Sequence, residues 1–151
     1  MGLGAAFKRH SNGKKAFKQA AEGNYQGAMD LIDQGGDINY RAAWRYMTSY
    51  VSPAFSRVNC NMGFMALEMG NMLALEGFLE RGLDPNSVVV FMEVGNKKDG
   101  CYSLLEWAIA RRNQQAVDLL VKAGASTTGK LKDMKAIQTR ANEKHVTLTS
   151  A

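Results

Sequence analysis

The same order of residues returns three times along the chain. The first copy reads Ala20-Ala21-Glu22-Gly23-Asn24, then Ala28-Met29-Asp30-Leu31-Ile32, then Gly35-Gly36-Asp37-Ile38-Asn39. The second reads Ala66-Leu67-Glu68-Met69-Gly70-Asn71, Ala74-Leu75, Phe78-Leu79, Gly82-Leu83-Asp84-Pro85-Asn86. The third reads Ala108-Ile109-Ala110-Arg111-Arg112-Asn113, Ala116-Val117, Leu119-Leu120, Gly124-Ala125-Ser126. Repetition at a period of a few tens of residues predicts stacked supersecondary units rather than one unique core. Stacks of this kind bind other macromolecules more often than they do chemistry.

Each copy predicts two short helices. In the third, Leu104, Leu105, Trp107, Ala108 and Ile109 make an apolar first helix, and Ala108 allows a neighbour to approach closely. The break is Gly23-Asn24 and Gly70-Asn71 in the first two copies, where glycine suits a left-handed C-terminal residue. Arg112 takes that place in the third copy, at a cost of roughly 1 kcal/mol. The asparagine that follows can cap the second helix. Ala116, Val117, Leu119 and Leu120 then form an apolar stripe at helical spacing, and Gly124 ends it.

The small-residue start, the Gly-Asn break, the paired aliphatics and the closing Gly-Gly-Asp-Ile-Asn and Gly-Leu-Asp-Pro-Asn together resemble the ankyrin repeat. The resemblance covers about residues 14–39, 62–86 and 103–126. It implies an all-α fold, a short ankyrin-like solenoid of stacked helix pairs with inserted loops and one β-hairpin finger. Two departures stand out. The family's Thr-Pro-Leu-His opening is reduced to Ser103-Leu104-Leu105-Glu106 in the third copy and to less in the others. The closing glycines Gly35, Gly82 and Gly124 lie 47 and 42 residues apart, against about 33 in the family. The surplus enters as insertions, which in such stacks go to loops on one face, often the binding face.

The first insertion, Tyr40 to Arg57, interleaves aromatic and basic side chains, and helix is expected from about Arg41 to Tyr50, stopped before Pro53. Arg41, Trp44, Arg45, Tyr46, Tyr50 and Arg57 are its candidate partner-binding residues, because Trp, Tyr and Arg bury much area and keep a polar handle. Trp44, Met47 and Val51, spaced by three and four, equally fit a packing role. The second insertion runs Ser87-Val88-Val89-Val90-Phe91-Met92-Glu93-Val94 into a Gly/Asn/Asp-rich turn and reads as a hairpin. Phe91, Glu93, Lys97, Lys98 and Tyr102 are its candidate contacts, with Lys97 and Lys98 at the tip; a solvated turn is the plainer reading.

The net charge of +5 is unevenly placed. Residues 1–18 carry five basic side chains and no acid, residues 129–151 five against two, and the body between them nine against twelve. The expected organisation is a basic tail over 1–13, repeats over 14–128, a capping helix over 129–145 with Leu131, Met134 and Ile137 on one side, and a short tail over 146–151. Basic ends are commonly solvated tails; an electrostatic grip on nucleic acid or an anionic membrane is the sharper reading.

Chemistry has little footing. The two histidines, His10 and His145, fall toward the two ends of the sequence, and no phosphate-binding Gly-Lys-Ser/Thr loop occurs. Glu68, Glu76, Glu80 and Glu106 are expected on solvated helix faces, and Asp37 and Asp84 in turns. Cys60 and Cys101 lack metal-ligand spacing and suggest free thiols in a reducing compartment, the cytoplasm. Gly2 raises N-myristoylation, but Ala6 stands where a serine or threonine is required. No apolar run approaches the ~20 residues that span a bilayer.

The expectation is therefore a protein that is not an enzyme, with no cofactor, metal or small-molecule substrate, and no membrane partner. It would bind another protein through the inserted fingers and the first-helix face, as an adaptor or an occluding inhibitor. Small size without a fused domain suits a stoichiometric inhibitor, for example a bacterial or phage immunity or anti-defence factor. The second expectation is a nucleic-acid binder using the basic ends.

Overall fold

A computed structural model describes residues 2–45, 57–92, 98–127, 143–144 and 146–147. Among them, six helices fall into three pairs: α1 (Leu3–Ala21) with α2 (Tyr25–Asp33), α3 (Met62–Glu68) with α4 (Met72–Glu80), and α5 (Leu104–Ala110) with α6 (Gln114–Lys122). First helices pack in the order α1, α3, α5 and second helices in the order α2, α4, α6.

The repeated residues explain the pairs. Each break puts its middle residue in the left-handed region: Gly23 at φ 84°, Gly70 at 72° and Arg112 at 55°. Arg112 is the only non-glycine at positive φ among the described residues. All three breaks carry the same two backbone bonds, as in Gly70 N–H to Leu67 O at 3.2 Å and Asn71 N–H to Ala66 O at 2.8 Å. Asn24, Asn71 and Asn113 then cap the second helices by accepting the N–H of Gly27, Ala74 and Ala116, each at 3.0 Å. Asn61 caps α3, and Ser103 with Glu106 forms a capping box on α5.

The turns are stitched across copies. Asp37 and Asp84 accept the N–H of Asn39 and Asn86 within their own turns, as the turn reading requires. Each asparagine then reaches the next copy. Asn39 Oδ1 accepts the Asp84 N–H at 2.8 Å, and Asn86 Oδ1 accepts the Ser126 N–H at 2.7 Å. Between second helices, Arg81 grips Asp33 with two bonds of 2.8 and 3.1 Å.

The middle pair forms the centre. Residues 62–67 of α3 are all buried, as are Leu75 and Phe78 of α4. Ala16, Ala20, Ala66, Ala108 and Ala116 are no more than 2% exposed, which is how the helices come close. Each large side chain buried here contributes roughly 1.5–3 kcal/mol of transfer free energy.

The all-α expectation fails. A four-stranded antiparallel sheet, ordered β1-β2-β3-β4, consists of β1 (Ala42–Trp44), β2 (Arg57–Cys60), β3 (Val88–Met92) and β4 (Lys98–Ser103). The fold is mixed α/β. The β3–β4 pair is the expected hairpin, with Val89 opposite Tyr102 and an irregularity between Phe91 and Met92. The first insertion departs from expectation, for Ala42–Trp44 is strand rather than helix, and Ala43 lies opposite Asn59. The two insertions then join, with Val58 opposite Phe91. The cause is tertiary. Helical spacing in Ala42-Ala43-Trp44 is overridden because β2 offers a ladder and Phe64 a place for the Trp44 ring.

The N-terminal tail is likewise corrected. Residues 3–13 are the first turns of α1, continuous with the helix of the first copy. Most of the expected capping helix lies outside the described residues. Val146 is buried, and Thr147 exchanges two backbone bonds with the Gln114 side chain, of 2.6 and 2.8 Å, which fixes this stretch beside α6. No helix of the described residues is long and apolar enough to cross a membrane.

Candidate functional site

The first helices and the sheet share one side of the molecule. A row of rings runs along it: Trp44 of β1 meets Phe64 of α3 at 6.2 Å, Phe64 meets Trp107 of α5 at 5.8 Å, and Trp107 meets Tyr102 of β4 at 5.6 Å. These are edge-on or tilted pairs that fix the sheet against the helices.

Beneath this row sits Glu68, which does not occupy the solvated face expected of it. Its side chain is 1% exposed. Trp107 Nε1 donates to Oε2 at 2.6 Å, and Arg111 Nη2 stands 3.1 Å from Oε1. Burial pushes the carboxyl pKa up, opposed by the Trp107 hydrogen bond and then by the Arg111 charge. The residue thereby joins α3 to α5.

The predicted contact residues divide. The Arg41 guanidinium donates to Asn59 Oδ1 from Nε at 3.3 Å and from Nη2 at 3.2 Å, and Nη2 also donates to the Val88 carbonyl. Arg41 thereby ties three strands together. Trp44 is buried, and Tyr102 is half-buried on Trp107. Arg45 is exposed at the end of β1. Arg57 opens β2 opposite Met92, Phe91 stands in β3 and Lys98 opens β4. Tyr46, Tyr50, Glu93 and Lys97, with Met47 and Val51, lie outside the described residues. The two insertions are thus brought together into one sheet, and the described candidates are spread along it.

A second feature of this side was not singled out in the sequence. Between α1 and β1 runs a groove of about 530 Å³. Ser11, Lys14, Lys15 and Lys18 line it from α1; Tyr40 and Ala42 to Trp44 line it from the sheet side. Phe17 forms part of its floor and meets the Tyr40 ring at 5.6 Å. Among the described residues no carboxylate lines it. The signal was present as acid-free residues 1–18, but it was divided between a tail and a repeat. Only a continuous helix places positions 11, 14, 15 and 18 on one face.

Cys60 is buried and its thiol pushed up to about 12 by desolvation, against a smaller opposing effect of Arg41; Cys101 is exposed. The two are not bonded to each other. Among the described residues no group of three or more His, Cys, Asp and Glu side chains is placed to hold a metal ion. No protein-family model matches the chain, and comparison with curated proteins gives no match.

Proposed function

We propose that this chain is a protein-binding module that works through the side formed by its first helices, its sheet and the two hairpin connections. The observation that carries the reading is the lysine- and aromatic-lined groove where α1 meets the sheet edge. Aromatic and cationic side chains around a concave surface supply area and orientation together. The Glu68 carboxylate on this side is engaged by Trp107 and Arg111. We also infer kinship with ankyrin repeats; it rests on the repeated left-handed breaks, the asparagine caps and the asparagine bonds between copies. Binding on this side would occlude the partner's own surface, the behaviour of an adaptor or a stoichiometric inhibitor.

Affinity capture from the native cell, read by mass spectrometry, tests the proposal. A chain carrying Arg45→Ala, Lys97→Ala and Lys98→Ala should keep its melting temperature and lose the partner that the unaltered chain retains. Equal capture by both removes the hairpins from the binding surface.

The lysines of α1 favour one second reading, a nucleic-acid binder. It predicts binding of generic DNA or RNA that weakens steeply between low and moderate salt. Filter binding with no retention at either salt removes it.

A further inference from the structure

α1 starts well before its buried face does. Every residue from Gly2 to His10 is exposed, and burial begins at Asn12. At about 100° per residue, Asn12, Gly13, Ala16, Phe17 and Ala20 fall on one side of the helix, and these are its buried residues. Arg9 falls on that side too. Its carbonyl accepts the Asp37 N–H at 3.0 Å, and its guanidinium stands 3.6 Å from the Asp37 carboxylate. This side of α1 is spent on the body of the protein.

The opposite arc is unspent. Leu3, Phe7, Lys8, Lys14, Lys15 and Lys18 fall within about 140° of one another on the helix. Leu3 is 93% exposed and Phe7 74%, unusual for large apolar side chains. The four lysines are exposed, and among the described residues none of them makes a hydrogen bond or an ion pair. Residues 1–21 hold no acidic side chain, so nothing on α1 itself neutralises them. The arc is also uneven along its length. Gly2 to Phe7 is uncharged, with the small Gly4, Ala5 and Ala6 leaving Leu3 and Phe7 to stand out, and all four lysines follow.

Few partners satisfy both halves of this arc. The phosphates of a nucleic acid would take the lysines and leave Leu3 in water. A guest seated in the groove would meet Lys14, Lys15 and Lys18, but Leu3 and Phe7 lie outside the groove's lining and would stay wet. An anionic bilayer takes both halves and needs no matching shape. Its hydrocarbon boundary accepts exposed apolar side chains, and its headgroups draw lysines. The two signals work together, since a small apolar anchor alone holds a bilayer only weakly.

We propose that the outward arc of α1 lies on an anionic lipid surface, with Leu3 and Phe7 entering the headgroup boundary and Lys8, Lys14, Lys15 and Lys18 set against the phosphates. This departs from the expectation of no membrane partner, which rested on the lack of a spanning run. Lying on a bilayer requires no span, so the proposal agrees with helices too short or too polar to cross one. It goes beyond the protein-binding reading and adds a surface on which that binding would take place.

Co-sedimentation of the full chain with phosphatidylcholine vesicles, with and without phosphatidylserine, tests it. The chain should pellet with the phosphatidylserine vesicles, stay in solution with the others, and bind less as salt is added. Leu3→Ser with Phe7→Ser should weaken binding at least about tenfold. Lys18→Gln should weaken it about fivefold. Arg9→Gln removes the same charge from the far side of the helix, about 10 Å away, and should weaken it less than about twofold. Circular dichroism of all three variants should match the unaltered chain, since every substituted residue is exposed. Four results overturn the proposal: no binding to phosphatidylserine vesicles at low salt, equal binding to both kinds of vesicle, equal binding by the Leu3 and Phe7 variant, or equal losses for Arg9→Gln and Lys18→Gln. Retention of single-stranded DNA that Lys18→Gln weakens, with no vesicle bound, overturns it as well and gives the face to nucleic acid. Capture of the native partner decides the protein-binding reading separately, whichever way the vesicles fall.

Discussion

The helical stack and the sheet were built by different means. Each helix pair carries its own local instructions: a left-handed break, an asparagine cap and an apolar stripe, repeated at fixed offsets. The sheet has few such instructions. β1 has three residues and β2 four, and two of the three in β1 are alanine. Strands so short hold only by their neighbours. Arg41 supplies part of that hold by bonding to Asn59 and to the Val88 carbonyl, and the Trp44 ring on Phe64 supplies another. The stack is therefore specified residue by residue, whereas the sheet is specified by what two separate insertions do to each other.

Phe64 lies where the two regions meet, so it offers the largest test. It is fully buried in α3 and touches both Trp44 and Trp107. Phe64→Ala should cost about 3–5 kcal/mol, through lost burial and the cavity left behind. Urea unfolding followed by far-ultraviolet circular dichroism and by tryptophan fluorescence should show one coincident transition at lower urea. Two separated transitions would mean that the sheet melts independently of the stack.

Arg41→Ala should act on the sheet alone. Hydrogen bonds from a charged donor contribute about 1.5–3 kcal/mol, and partial exposure of Arg41 places its loss at the lower end. Hydrogen exchange should quicken at residues 58–60 and 88–90 and stay unchanged in α5 and α6. Equal loosening of the helices would erase the contrast between the regions.

The same contrast explains what could be read beforehand. Helix pairs, breaks, caps and the β3–β4 hairpin were legible because their signals lie within about ten residues of one another. The β1 strand was not, since Arg41 to Tyr50 carries helical spacing and its reason to extend is Asn59 and Val58, more than a dozen residues away. Glu68 was misplaced for a related reason. Its burial depends on Trp107 and Arg111 in the next copy. The α1–β1 groove needed both corrections at once, a helix where a tail was expected and a strand where a helix was expected. Asn39 and Asn86 stand in the repeated closing motifs, but their bonds to the following copy require the spacing of the stack.

The smallest test compares the three breaks with each other. Gly70 sits at φ 72° with open space around the position a Cβ would take, so Gly70→Ala adds backbone strain and no clash. A left-handed residue with a side chain costs roughly 1–2 kcal/mol, and alanine recovers part of that by restricting the unfolded chain. The net loss should be about 0.5–1 kcal/mol. Arg112 at φ 55° already bears that strain, so Arg112→Gly should gain a similar amount. Arg112 is exposed, which leaves little packing to lose. The pair of variants should therefore shift the urea midpoint in opposite directions by similar steps, with no change in slope. If Arg112→Gly instead lowers the midpoint, the arginine side chain holds the third break in place by a contact that outweighs its backbone strain, and the three copies are equivalent in conformation but not in cause.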